Sequence, residues 1–540
     1  MANKRYVAVI CLVLAAVLAL SACNKAPEGD FLNAEVQKTT DHMRTYYEIF
    51  PYSFADSNGD GIGDLQGIID KLDYIEDLNF DGLWLTPVHQ STTYHKYDVV
   101  DYKTIDSQFG TMEDYDNLVK ACHDRGMTIL LDLVFNHTSV EHIWFQACYL
   151  AHSRGQTDNQ YYNYYNFKEL KDGEQPEAGW RIYRGNWAYE CQFWGGMPDL
   201  NLQNVLDEPE GYLANDLKEI MRFWLVDHDV DGFRLDATGE YFTADSERNT
   251  QFLTWLNKTA KEIDPDCYIV GEASWGNKAE NQRYQASGVE SFFSFQHSQG
   301  SGNLSYAARL DKAAYLYKLD QENAEYAAGG IPATFIANHD TGRAYGATQA
   351  ANDINNLKMA YGLMAMCYGT IYHYYGDEAG MVVLNRSGSD SYIDEDKRQP
   401  MPWGDSYTCK PVTGSTKGDD SAKYPLGTVA DQLATEDSLM DYIRQANAIR
   451  RAFPQIARCV AENVYLNEDR TVCVVSKDDG DEKIYIVMNA SHEYSDTYDL
   501  SELGNVKLAA TLSTAEVPSV KGNTLTIPAQ SFAILTEVEE

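Results

Sequence analysis

Eight apolar, β-rich runs recur between residues 46 and 376, and helix-like stretches separate many of them. The runs are Tyr46–Phe54, Phe80–Val88, Thr128–His137, Val230–Thr238, Cys267–Ala273, Glu290–Phe295, Ala333–Asp340 and Thr370–Gly376. Several carry little polar interruption, as parallel strands buried on both faces should. Between them, Gly67–Leu78, Met112–Arg125 and Asp216–His228 follow a helical pattern. Strand and helix in alternation build βαβ units. Eight such units predict an α/β fold, a closed (β/α)8 barrel whose chemistry sits at the C-terminal ends of its strands.

The chain of 540 residues suits one large barrel with accessory units. Between the third and fourth runs, residues 137–199 are rich in Tyr, Asn and Gly and read as irregular. They are too many for a plain βα loop and predict an inserted subdomain. The barrel would then comprise residues 39–136 and 200–453. After Phe453 the pattern turns to short alternating strands, Val472–Val475, Lys483–Asn489, Val506–Thr511 and Ser531–Leu535. Residues 454–540 are expected to form a C-terminal β-sandwich.

Lys4 and Arg5 precede the apolar run Tyr6–Leu20, which is short for a membrane span. Leu20-Ser21-Ala22-Cys23 follows, with the small residues of a signal-peptide cleavage site. With Cys23 directly after them, the stretch resembles the lipobox of bacterial lipoproteins. That resemblance implies a leader at residues 1–22, a lipid on Cys23, a tether over residues 23–38 and a place on the outer face of a cell membrane. Eight further cysteines, from Cys122 to Cys473, show no CxxC pair or zinc spacing and read mostly as buried thiols. One or two disulfides would suit an exported protein.

Acidic residues outnumber basic ones by 81 to 43, a formal charge of −38. Such a surface excludes nucleic acid as a partner. An uncharged glycan meets no penalty from it. A monomer is expected.

Three acids close predicted strands. In Gly232-Phe233-Arg234-Leu235-Asp236-Ala237, Arg234 and Asp236 share a face, and the guanidinium favours an ionised carboxylate fit to be a nucleophile. In Tyr268-Ile269-Val270-Gly271-Glu272-Ala273, the carboxyl ends an apolar strand, where poor solvation raises its pKa toward that of a general acid. In Phe335-Ile336-Ala337-Asn338-His339-Asp340, His339 can donate to a hydroxyl, and Asp340 adds an anion.

With Asp132-Leu133-Val134-Phe135-Asn136-His137, these strings resemble glycoside hydrolase family 13, the α-amylase family, in the right order and over roughly residues 41–540. Gly82–Pro87 and Tyr374–Glu378 extend the match. The resemblance implies a retaining hydrolase of α-glucosidic bonds in starch or maltodextrins. Asp236 would be the nucleophile, Glu272 the acid/base and Asp340 the stabilising carboxylate. It places Tyr97, His137, Arg234 and His339 around the cleaved sugar, with Asp98, Arg343 and Arg398 as weaker carry-overs, Arg398 the weakest of the three.

Asp56-Ser57-Asn58-Gly59-Asp60-Gly61-Ile62-Gly63-Asp64 sets oxygen donors at alternate positions of a Gly-rich loop, which suits calcium. The family pattern implies a structural Ca2+ held by Asp56, Asn58, Asp60, Asp64 and the Ile62 carbonyl. Met197-Pro198-Asp199-Leu200-Asn201 resembles a group intermediate between oligo-1,6-glucosidases and neopullulanases. Where many α-amylases carry Lys-His after the nucleophile, this chain has Gly239 and Glu240. That departure weakens a second calcium site at Asn136 and Asp199, and it keeps an exo-acting α-glucosidase or oligo-1,6-glucosidase open beside the α-amylase. A transglycosylase or a non-catalytic glucan-binding lipoprotein is the remaining alternative.

Overall fold

The computed structural model describes residues 31–273, 278–383, 394–412 and 424–538. Cys23 and the apolar leader lie outside the described residues.

All eight predicted runs form strands: β1 (Thr45–Ile49), β2 (Gly82–Leu85), β3 (Thr128–Leu133), β4 (Gly232–Leu235), β5 (Tyr268–Gly271), β6 (Ser291–Phe293), β7 (Ile331–Phe335) and β8 (Thr370–Tyr374). They close into a barrel in chain order, with β8 beside β1 and every pair parallel. Most strands are shorter than the apolar runs that announced them. β1 ends where Pro51 opens the short helix Pro51–Phe54. β4 ends at Leu235, and two residues on, Ala237 with its φ of 48° takes the chain out of the extended region. Side chains beyond the strand ends stay buried beneath the cleft, so hydropathy alone overruns the ladder.

Tyr46, Trp84, Leu130, Tyr268, Val270, Phe293, Phe335 and Tyr372 fill the barrel interior. A second, larger core lies between the strands and the surrounding helices. Each fully buried large apolar side chain contributes roughly 1.5–3 kcal/mol relative to exposure. The stretch Gly67–Leu78 is two helices, Leu65–Asp70 and Leu72–Asp77, broken at Lys71. Met112–Asp124 is a single helix closed by a reciprocal Thr111–Asp114 capping box. Helix Tyr212–Arg222 passes into one wide turn, Phe223–Asp227.

Residues 137–199, read as irregular, contain the helix Ile143–Ser153 and a three-stranded antiparallel sheet of Phe167–Glu169, Trp180–Arg184 and Trp187–Glu190. Phe145 is their hub, with Tyr165, Phe167, Tyr183 and Tyr189 rings about it. Beyond Phe453, a five-stranded antiparallel sheet packs on a three-stranded one around Val472, Val474, Val487, Leu525, Ile527 and Leu535. Phe31–Asn33, read as tether, instead pair with this five-stranded sheet: Leu32 bridges Ala510, and Asn33 N–H donates to Ala509 O at 2.8 Å. The eight cysteines of the described residues are free thiols, and seven are buried.

Candidate active site

Asp236 and Glu272 each follow the last residue of a strand, and each still bonds into the barrel. Asp236 N–H donates to Leu133 O at 3.3 Å and Glu272 N–H to Leu235 O at 2.9 Å. The backbone beneath both carboxylates is therefore fixed by strands rather than by loops. Gly232 opens β4 where it passes so close to β5 that a Cβ would lie 1.8 Å from the Tyr268 carbonyl oxygen.

Arg234 lies two residues before Asp236 and is fully buried. Its Nη1 donates to Asp132 Oδ1 and Oδ2, both at 2.8 Å, and to Asp236 Oδ1 at 2.9 Å. Its Nη2 donates to Glu272 Oε2 at 2.5 Å. One planar fork thus holds three carboxylates from adjacent strands, which a lysine cannot do. Trp84 lies against the guanidinium, 5.1 Å from ring centre to Cζ, and donates from Nε1 to Asp132 Oδ2 at 3.3 Å.

Across the barrel mouth, His339 donates from Nδ1 to Glu48 Oε1 at 2.6 Å and from Nε2 toward Asp340 Oδ2 at 2.9 Å. Tyr97 Oη stands 2.7 Å from His339 Nε2, and the two rings stack at 12°. Arg398 donates to Asp340 Oδ1 at 2.7 Å, to the His339 carbonyl at 3.1 Å and to Tyr94 Oη at 3.1 Å. A cleft of about 380 Å³ opens between these groups, lined by Tyr97, His137, Asp236, Glu272, Asp340 and Arg398 among others.

These surroundings push the carboxyls apart. Burial, with Asp236 and Asp340 nearby, outweighs Arg234 and raises Glu272 to about 7. Burial also works against ionising Asp340, but His339, Arg398 and Arg234 outweigh it and hold Asp340 well below the carboxylate range. His339 rises to about 9, because Asp340 and Glu48 overcome its burial. One carboxyl that keeps its proton near neutrality, beside another held ionised, is the electrostatic division that acid–base and covalent catalysis require.

The candidate residues divide accordingly. Asp236, Glu272, Asp340, Tyr97, His137, Arg234 and His339 converge on the cleft or its floor. His137 is buried, and among the described residues its Nε2 meets no hydrogen-bond partner. Asp98 does not line the cleft; it accepts hydrogen bonds from Ser91, Thr92 and Thr93 and so holds their loop. Arg343 does not line it either. It pairs with Asp377 at 3.1 Å, donates to the Tyr375 carbonyl and stacks on Tyr374, pinning the turn after β8. Arg398, the weakest of the carry-overs, lies on the cleft. Glu48, Asp132 and His95 were missed, although carboxylates inside apolar strand runs are a usable signal, since such charges stay buried only when paired.

The loop of residues 56–64 folds on its own oxygens. Asp56 accepts Gly59 N–H and Gly61 N–H, both at 2.7 Å; Asn58 accepts Asp60 N–H at 2.9 Å; Asp60 accepts Ile62 N–H at 2.7 Å. Asp64 accepts Ser57 N–H at 2.9 Å and caps the next helix through Gly67 N–H. Lys410 Nζ donates to the Asp60 carbonyl at 2.8 Å. Among the described residues no three Asp, Glu, His or Cys side chains converge as a metal-binding group. The donor chemistry itself fits a hard cation, since a carboxylate that accepts two N–H groups retains free lone pairs. Asp199 accepts Gln192 N–H at 3.0 Å, and burial with Glu190 and Glu240 nearby raises it to about 8. Its backbone bridges His137, which anchors the inserted segment to β3.

Residues 48–458 match the family model described as the catalytic domain of alpha amylase. The chain is 34% identical to alpha-amylase 3 of Dictyoglomus thermophilum over 456 residues, covering 82% of this chain and 84% of the relative. It is 28% identical to the oligo-1,6-glucosidase of Bacillus cereus, covering 83% and 90%. Among solved structures, Eubacterium rectale Amy13B superposes with a TM-score of 0.82 at 34% identity, covering 94% of this chain and 98% of that one. A closed parallel barrel, with acids at its strand ends gathered on one arginine, thus coincides with a family match spanning most of the chain, and the protein belongs to the α-amylase family of glycoside hydrolases.

Proposed function

We propose that the protein is a retaining α-amylase acting on α-1,4 bonds of starch and maltodextrins. The observation that carries this is the Arg234 fork, which sets Asp236 and Glu272 on the two arms of one guanidinium. Retaining enzymes need their two carboxyls about 5–5.5 Å apart. Asp236 attacks the anomeric carbon while Glu272 gives its proton to the departing glucosidic oxygen, leaving a β-glucosyl ester. Glu272 then takes a proton from water, which attacks the same carbon and releases Asp236 and an α product. Asp340 and His339 hold hydroxyls of the distorted sugar, and Nε2 of His137 supplies a further contact.

The α-1,4 preference is supported by the higher identity to an α-amylase than to an oligo-1,6-glucosidase. The test is the product profile from amylose, maltotriose, isomaltose and pullulan, each supplied separately. Falling iodine colour with α-configured maltodextrins is the expected result. Glucose released from isomaltose with amylose intact would replace this reading with an exo-acting glucosidase. The proton on Glu272 sets the pH dependence: kcat/KM is expected to fall as pH rises through about 7. A flat profile from pH 6 to 9 would remove Glu272 from the acid role.

Two further proposals concern the chain rather than the reaction. The first is that Cys23 carries a lipid and holds the enzyme outside the cell; its sequence setting supports this. Cys23→Ala should move the protein from the membrane fraction to the medium, and no change in partition would count against an anchor. The second is that calcium binds the loop of residues 56–64, on the strength of its hard oxygen donors. Adding calcium to the chelator-treated protein is expected to raise Tm by several degrees through ligand linkage. An unmoved Tm would leave the loop to its own turns and Lys410.

A further inference from the structure

Two consecutive residues carry large exposed aromatic side chains, and the first of them lines the cleft. Phe193 is 48% exposed and lines it, with its ring 5.5 Å from that of His137. Trp194, the next residue, is 53% exposed. Exposed apolar surface of this kind is unfavourable in water and marks a place where something else is meant to lie.

The backbone beneath them is pinned. The Trp194 carbonyl accepts Met197 N–H at 2.7 Å and the Cys191 thiol at 3.0 Å. Tyr189 Oη donates to the Gly195 carbonyl. Val140 N–H donates to the Gly196 carbonyl and Thr138 N–H to the Pro198 carbonyl, both at 3.1 Å, which ties the loop to the chain leaving β3. The indole rests on Gly196, where an added Cβ would lie 2.1 Å from the ring. Glycine there is what lets the indole lie close on the backbone. The next residue, Met197, lines the cleft. An aromatic face held in place in advance loses little entropy when it binds.

We infer that Phe193 and Trp194 form a stacking platform that carries glucosyl units of the substrate beyond the pair joined by the cleaved bond. This rests on the α-glucan reading of the cleft. The occupant follows from chemistry and continuity. Pyranose rings present flat C–H faces that stack on aromatic rings, and Phe193 and Met197, which flank Trp194 in the chain, both line the cleft. The flanking charges favour the same uncharged ligand. Among the described lining residues, Asp236, Glu240, Glu272, Asp340 and Asp394 are acidic, and the one guanidinium, on Arg398, pairs with Asp340.

The test uses the full chain and the ratio of kcat/KM for maltoheptaose to that for maltotriose. Trp194→Ala is expected to lower this ratio by about tenfold through KM, and Trp194→Phe to restore most of it. Thermal melting of each variant shows whether the loop still folds. A ratio unchanged in Trp194→Ala, with both substrates turned over, would overturn the platform and leave the proposed function standing. Absence of turnover of either glucan by the unaltered protein would overturn the α-glucan reading and the platform with it. A loss in Trp194→Ala that Trp194→Phe fails to restore would assign the residue a structural role and also overturn the platform.

Discussion

Asp236→Asn is expected to lower kcat on α-glucans by on the order of 10⁴-fold or more, the range seen when a nucleophile is removed from an otherwise intact site. The amide cannot form the glucosyl ester, so the two-step route closes. The fold should survive, because the side chain is nearly isosteric and the Asp236 N–H remains bonded to Leu133. A Tm within a few degrees of the unaltered protein would show this. A second consequence separates electrostatics from simple loss. Asp236 helps to raise the Glu272 pKa, so removing its charge should move the alkaline limb of any residual activity to lower pH. Asp236→Gly supplied with azide and an activated glucoside should yield the β-glucosyl azide, since azide can then enter the vacated face. Full activity in Asp236→Asn would remove the residue from the nucleophile role and leave the arginine fork as a structural device.

How much of this was legible in the sequence depends on how local the signal is. Near-continuous apolar runs identify barrel strands because both faces are buried, and all eight were visible. Their ends were not, because burial continues past the strand ends at residues such as Asp236 and Thr238 after Leu235. Asp236 and Glu272 were legible as acids closing apolar runs. Arg398 was legible only as a weak carry-over from the family resemblance: its partner Asp340 lies 58 residues away, and its own loop has no periodicity. Arg343 misled in the opposite direction. It follows the His339-Asp340 pair closely in sequence, yet it turns toward Asp377 and Tyr374. Residues 137–199 hid their sheet because strands of three to five residues are too short for alternation to show. Phe31–Asn33 could not be assigned to a sheet before the partner strand, Val506–Ser513, was placed.

Arg234→Met should do more than slow the reaction; it should destabilise the fold by roughly 3–5 kcal/mol at neutral pH, the scale for stripping a buried ion pair of one partner. Arg234 is fully buried, and so is Asp132. Even with the guanidinium present, burial raises Asp132 to about 6. Without it, Asp132, Asp236 and Glu272 face one another with no cation at their centre. The sign of the pH dependence follows. Arg234 lowers the pKa of Asp132 and of Glu272, so its loss raises both further above their unfolded values. A carboxyl whose folded pKa is raised destabilises the fold above its unfolded pKa, near 4, and stops doing so once it is protonated in both states. The Tm deficit of Arg234→Met should therefore be large at pH 7 and should shrink steadily as pH falls toward 4. Arg234→Lys should recover part of the stability but little of the activity, because one ammonium cannot hold three carboxylates in the register that Nη1 and Nη2 impose. A deficit independent of pH would mean that packing against Trp84, and not charge, is what Arg234 contributes.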